Sequence, residues 1–382
     1  MPELSVPIPN DFFQLPRLTQ TDIERYQAVG HEFVKLFVDV AKIKYGPIDW
    51  SIQSKTPEIT VFECRANHVP MHLVRTEINA TLEEAIAVFQ TTTLTETRKL
   101  QAEVQPLVLD KVRLYNVTLP TPENPYLFQS LNWAVVDTTY PKFVLKRRDF
   151  CFIEHQDVVQ FEGKRAFVRG MKSIELACVP SLEGSFDVVR GEMLHYGSVF
   201  VETDRPGVLQ LLTVYHIQPN GNTKGALGEK LMRKSLEGHY RTIHDVEQVI
   251  RSYHLGHLTF LDPTSMPPLD SQVKCEICTK YFGRRRKTQC RHCAKIVCSR
   301  KCSAKWKVMR SGLELNVRLC SGCSKQSQGQ PSSTNSSMST DSVAEYLQSM
   351  TTTDDFSCYE ESVVSVEPRQ DYKVTRITIT DY

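Results

Sequence analysis

Between positions 275 and 323 eight cysteines fall in four close pairs: Cys275/Cys278, Cys290/Cys293, Cys298/Cys302 and Cys320/Cys323. Two thiols so close in sequence can put both sulfurs on one ion, and four pairs make up the ligand count of two closed, four-thiolate zinc sites. A closed site leaves no position for a reactive water, so the chemistry is structural rather than catalytic. Disulfides are the competing use of the same residues. The opening MPELSVPIPN has neither the basic start nor the apolar run of a secretory signal, so a cytoplasmic chain is expected, where dense cysteine pairs read as metal ligands. The most economical arrangement of C-x2-C-x11-C-x2-C-x4-C-x3-C-x17-C-x2-C is a cross-brace: Cys275, Cys278, Cys298 and Cys302 on one zinc, Cys290, Cys293, Cys320 and Cys323 on the other. His292, inside the second pair, is a further donor that could replace one thiolate.

Charge is concentrated on the same stretch. Residues 275–323 carry 13 Lys/Arg against 2 Asp/Glu, whereas the whole chain has a net charge of only +2. Such density directs the module toward an anionic partner, a phospholipid surface or a nucleic acid. No window offers the apolar run of a membrane span, so membrane contact is expected to be peripheral.

These residues need elements to hold them. Residues 1–18, with four prolines, read as an irregular leader. Thr19 to Tyr45 has a helical apolar stripe (Ile23, Tyr26, Phe33, Leu36, Phe37, Val40) stopped by Gly46-Pro47. Strand-like runs follow at 48–53, 59–64 and 68–79, and Thr81 with Glu84 forms a capping box for a second helix. Residues 111–218 hold consecutive β-branched and aromatic runs without intervening helices, which predicts an antiparallel sheet. A long final helix is expected over about 225–254, with Val246, Val249 and Ile250 on its inner face. Pro263, Pro267 and Pro268 stiffen a linker, and residues 325–342, mostly Ser, Gln, Thr, Gly and Asn, are too polar to bury a core. An alternating stretch at 372–380 has the pattern of one more strand.

The expected fold class is α+β: a curved antiparallel sheet gripping a long C-terminal helix, followed by a small cross-braced zinc finger and a disordered tail. Arg148-Asp149-Phe150, Arg165 to Ser173, and Glu202 to Val208, followed by the long helix, resemble the START domain, the lipid-transfer-related helix-grip fold. The resemblance implies a lipid or sterol pocket. The domain boundaries expected are 1–18 leader, 19–258 START-like domain, 259–274 linker, 275–323 finger and 324–382 tail.

Arg284-Arg285-Arg286-Lys287-Thr288-Gln289-Cys290-Arg291-His292-Cys293, with Phe282 before it and Arg318 two residues before Cys320, resembles the FYVE zinc finger. That resemblance implies phosphatidylinositol 3-phosphate as ligand and an endosomal address. It implies Arg286, Lys287, Arg291 and Arg318 as the anion-binding residues, whose guanidinium forks and ammonium suit phosphate. Three features depart from the family: Thr288 and Gln289 replace its two histidines, Met266 and Leu269 replace its Trp-x-x-Asp, and the third cysteine pair is spaced by three. The loop that would enter the bilayer is basic, Gly283-Arg284-Arg285. The two-part combination resembles the START-like plus FYVE proteins of oomycetes.

The function expected is therefore non-enzymatic: a peripheral membrane adaptor or lipid-binding protein, with an anionic phospholipid or phosphoinositide surface as partner, an apolar lipid in the cup and a protein partner for the tail. A nucleic-acid-binding finger is the alternative, disfavoured because no base-reading helix follows the second cysteine pair. A protein-interaction module without specific lipid reading is another. A ubiquitin-ligase finger fails in register, because Cys293 directly follows His292. No catalytic Ser/His/Asp set or glycine-rich phosphate loop stands out.

Overall fold

The computed structural model describes residues 2–66, 69–105, 107–138, 145–221, 234, 243–310 and 313–326. Helix α1 (Gln20–Val40) opens on a Thr19/Asp22 capping box. Strands β1 (Ser51–Lys55), β2 (Ile59–Ala66) and β3 (Val69–Asn79) follow, then α2 (Leu82–Phe89) and α3 (Leu94–Val104). Strands β4 (Val108–Thr118), β5 (Phe128–Val136), β6 (Arg148–Phe161) and β7 (Lys164–Ser173) lead through a single helical turn, α4 (Glu183–Phe186), to β8 (Val189–Arg190), β9 (Glu192–Glu202) and β10 (Val208–Gln218). Helix α5 (Ile243–Gly256) completes this part. The sheet order is β1-β2-β3-β10-β9-β7-β6-β5-β4, antiparallel throughout, with β8 added in parallel to β6.

Alternation along the strands separates two faces. On one, Phe150, Phe152, Phe167 and Phe200 share a core with Leu82, Ile86 and Phe89 of α2, Leu100 and Val104 of α3, and Val246 and Ile250 of α5. On the other, α1 lays Phe33 and Phe37 against Leu73, Val199 and Val214. Gly30 lets α1 sit down here: a Cβ at that position would lie 2.5 Å from Gln129 Nε2. Where β9 pairs with β7, Gly197 faces Gly170 with φ +150°, and a Cβ there would meet the Arg169 carbonyl at 2.2 Å. Only glycine fits.

Several elements differ from the sequence expectation. Helix α1 ends at Val40, five residues early, because Ala41 caps it and the Trp50 indole donates to the Val40 carbonyl at 3.2 Å. Helix α3 was not foreseen, although Thr93 and Glu96 form a capping box. The leader is irregular yet packed: Leu4, Ile8 and Phe13 are buried, and the Ile8 amide donates to Asp110 at 2.8 Å. Asp110 also holds Arg98 through both oxygens, at 2.8 and 3.0 Å. The first half of the expected final helix, residues 327–382 with the polar tail, and the strand expected at 372–380 lie outside the described residues. No helix among the described residues is long and apolar enough to cross a membrane.

Residues 257–326 form the small module. Two 3-10 turns, Pro263–Ser265 and Leu269–Ser271, precede two hairpins, β11 (Lys287–Gln289) with β12 (Ile296–Cys298) and β13 (Ser303–Arg310) with β14 (Leu313–Cys320). Helix α6 (Ser321–Gln326) follows.

Candidate metal centres, anion face and cup

The first two cysteine pairs sit in matching turns. In one, the Cys275 amide donates to the Lys280 carbonyl at 3.0 Å and the Thr279 amide returns to Cys275 O at 2.8 Å; in the other, Cys290 and Lys295, then Ala294 and Cys290, repeat the pattern at 3.0 and 2.9 Å. Thr279 and Ala294 take left-handed backbone, φ 57° and 59°, at equivalent places. Each turn thereby aims two thiols at one point. Because β12 and β14 return the later cysteines to these turns, the sulfurs gather into two groups, Cys275/Cys278/Cys298/Cys302 and Cys290/Cys293/Cys320/Cys323, each within 4.8 Å.

A tetrahedron with metal–sulfur bonds of about 2.3 Å has edges of roughly 3.8 Å. Cys278 and Cys298 sulfurs are 3.9 Å apart, and Cys293 and Cys320 sulfurs 3.8 Å. The donor sets therefore fit two structural zinc ions. Amide groups support charge on sulfur: Cys298 N donates to Cys275 Sγ at 3.4 Å and Cys323 N to Cys320 Sγ at 3.3 Å. Burial works against ionisation of Cys275, but the amides of Cys278, Ile277 and Cys298 overcome it and bring the thiol to about 6. Burial and the neighbouring thiols push Cys302 up to about 12. Four thiolates in so small a volume need a cation among them. His292 takes no part; its Nδ1 donates to the Thr259 carbonyl at 2.9 Å.

Of the four residues expected to meet an anion, Arg286 is exposed immediately before β11, beside exposed Arg284 and Arg285. Lys287 is half-buried, donating to Gln272 O at 2.7 Å and lying 5.2 Å above the Phe282 ring. Arg291 and Arg318 are brought together by a backbone hydrogen bond, Arg291 N to Arg318 O at 2.9 Å. The Arg318 guanidinium donates to Ser299 O at 2.6 Å, whereas Arg291 Nε is buried without a hydrogen-bond partner among the described residues. Gln289 is tied to the Pro267 carbonyl. The stiffened linker thus lies along the basic strand and takes two of its donors.

The cup face has a polar floor that the sequence reading missed. Glu154, buried on β6, accepts from Lys111 Nζ at 2.5 Å, Arg169 Nε at 2.6 Å and Gln156 Nε2 at 2.8 Å. Burial lowers the Lys111 ammonium to about 8 against the pull of Glu154, and the two cations hold Glu154 well below the usual carboxylate range despite its burial. These residues share a face with Phe152 and Phe167, beneath α2: Arg169 stands 5.3 Å over the Phe89 ring. Spacing alone gave no signal, because Lys111, Glu154 and Arg169 lie on three strands. The Asp149 of the Arg-Asp-Phe block belongs to the opposite face, fully buried between Trp133 Nε1 at 2.8 Å and Arg190 at 2.9 Å.

Residues 266–329 match the family model of the FYVE zinc finger. Among solved structures, the chain is similar to human StAR-related lipid transfer protein 5, with 13% identity, a TM-score of 0.44, and coverage of 62% of this chain and 100% of that one. It is likewise similar to a fragment of the STAR-related lipid transfer protein from Xanthomonas axonopodis, at 12% identity and TM-score 0.38, covering 53% and 98%. No curated protein matches.

Proposed function

We propose that this chain is a non-enzymatic, lipid-binding membrane adaptor: its zinc finger docks on an anionic, phosphoinositide-bearing surface, and its sheet-and-helix cup holds a lipid. The observation that carries the reading is the pair of four-cysteine clusters holding a module of net charge +11, with the Arg284–Arg286 run exposed at its edge. Near an anionic surface each basic residue contributes about 1 kcal/mol of attraction. Arg286, Lys287, Arg291 and Arg318 are the headgroup residues of this proposal, and phosphatidylinositol 3-phosphate, with an endosomal address, is its finer form. The boundaries 19–258 for the cup, 259–274 for the linker, 275–323 for the finger and 324–382 for a partner-binding tail belong to the same reading.

The cup supports its half through composition. Aromatic and aliphatic side chains from the sheet and three helices surround one buried carboxylate with two cations, so an apolar ligand with a single polar end matches the lining. One observation favours a less selective finger. Lys287, Arg318 and Gln289 already donate to protein carbonyls, which leaves mainly Arg284, Arg285 and Arg286 facing outward.

Flotation of the full chain with vesicles of phosphatidylcholine alone, or with phosphatidylinositol 3-phosphate, or with phosphatidylserine at matched charge, tests both forms. Binding to the 3-phosphate vesicles, falling about tenfold or more in Arg286→Ala and Arg291→Ala, is the expected result, since a charge-assisted phosphate contact is worth about 1.5–3 kcal/mol. Equal binding to both anionic vesicles would remove the stereospecific form. No binding to either would remove the membrane reading.

A further inference from the structure

Helix α5 belongs to two cores. One side of it closes the cup: Val246 and Ile250 are buried with α2 and α3 residues, the His254 ring lies 2.5 Å from Glu84 at the start of α2, and Asn79 donates to Glu247 at 2.9 Å. The other side belongs to the finger. Leu255, with no exposure, packs in the cluster that holds Phe282, Ile296, Val308 and the zinc-site cysteines. The Arg251 guanidinium stands 5.1 Å over the Trp306 ring of β13 and donates to Ser324 O of α6 at 3.0 Å. Past the helix, Leu261 N donates to Arg291 O at 2.7 Å, continuing the attachment to the anion face.

The two sides are not equally well made. Beside the contact of α5 with β13 runs a solvent-open groove of about 320 Å³ lined by Glu247, Gln248, Arg251, Ala304, Lys305 and Trp306. At this seam Arg251 Nε and Trp306 Nε1 are buried with no hydrogen-bond partner among the described residues. Orphaned donors weaken a contact, and the groove brings solvent to its edge, so this seam is the side of α5 that opens at least cost.

We propose that the zinc finger is the clasp of the cup. By gripping Leu255 and Arg251 it holds α5 against α2 and α3, and opening of the Arg251–Trp306 seam releases the helix and lets a lipid exchange. The lipid step rests on the cup reading above; the mechanical coupling does not. Coupling is reciprocal, so any surface that binds the finger better with the seam open also favours an open cup.

Hydrogen exchange of the full, zinc-loaded chain tests this, with Trp306→Ala as the main variant and Arg251→Met as a second that leaves the finger itself unaltered. Uptake of anilinonaphthalene sulfonate serves as an apolar probe of the cup, and metal content as a check on the finger. Expected in Trp306→Ala are two retained zinc ions and exchange about tenfold faster or more in peptides of 243–256 and also of 82–104, with the central strands unchanged. Probe uptake rises in parallel. Faster exchange confined to α5, with 82–104 unchanged, overturns the proposal, as does wild-type exchange throughout. Should Trp306→Ala lose zinc, Arg251→Met decides by the same two outcomes. Faster exchange at 82–104 without added probe uptake upholds the clasp and counts against the lipid cup alone.

Discussion

Acid should loosen the seat of α1 before it reaches the carboxylates. Under this helix His155 is fully buried on β6, its Nδ1 accepting from Gln129 at 2.8 Å, and His216 is buried on β10, its Nδ1 3.0 Å from that of His195. The His195 and His216 rings stack at 4°, and Phe33 of α1 covers His195 at 6.2 Å. Neither His155 Nε2 nor His216 Nε2 has a hydrogen-bond partner among the described residues, so a proton added there would enter buried without an acceptor. Burial, with His31 nearby, lowers His155 to about 3, and burial, with His195 beside it, lowers His216 to about 4.

An unfolded imidazole titrates near 6.5, so between pH 6.5 and about 4 the unfolded chain binds protons that the folded chain refuses. Stability is full above pH 6.5 and falls as the pH drops below it. At pH 5 each histidine has lost about 1.5 pH units of linkage, roughly 2 kcal/mol, or about 4 kcal/mol for the pair. Urea unfolding at pH 7.5, 6.5, 5.5 and 5.0, read at buried Trp133 with Trp306→Phe and Trp50→Phe removing the other indoles, measures this. His216→Gln should take away about half of the slope below pH 6.5, whatever it does to stability at pH 7.5. A flat profile from pH 7 to 5, or an unchanged slope in that variant, would refute the argument.

Removing the buried carboxylate should cost more than removing one of its cations. Glu154→Gln strands Lys111 and Arg169 and is expected to destabilise by about 3–5 kcal/mol, whereas Lys111→Met leaves Glu154 with Arg169 and should cost about 1 kcal/mol or less. Urea midpoints at pH 7.5 check the order, and the reverse order would contradict the geometry. Chelation of zinc, or Cys302→Ser, should unfold the finger, because most of the folding free energy of so small a module comes from its metal. Near-ultraviolet circular dichroism at Trp306 and metal analysis read the outcome, and a finger that keeps its signal without metal would contradict it.

How much was legible in the sequence varied with the distance over which each feature is encoded. The start of α2 could be read because its capping box, Thr81 to Glu84, lies within one turn, and α1 because its apolar stripe repeats at helical spacing; the same capping signal stands at Thr19 with Asp22 and at Thr93 with Glu96. The end of α1 was misread, since it is set by Trp50 reaching back to Val40. Strands were visible by composition, but their edges were not, because pairing partners decide where a ladder stops: β6 runs to Phe161 only because β7 returns beside it.

By itself the sequence determined the metal chemistry, the sign and place of the charge, and an α+β chain with an antiparallel sheet. These are written in residue type and short spacing, which no later packing can change. Only the tertiary structure decided that Lys111, Glu154 and Arg169 meet on the cup face, that Asp149 turns away to Arg190, and that Leu255 of a cup helix finishes the core of the finger. Those contacts join separate elements, and a side chain's partner across a sheet or a seam is fixed by register and docking, which leave no periodic mark in the chain.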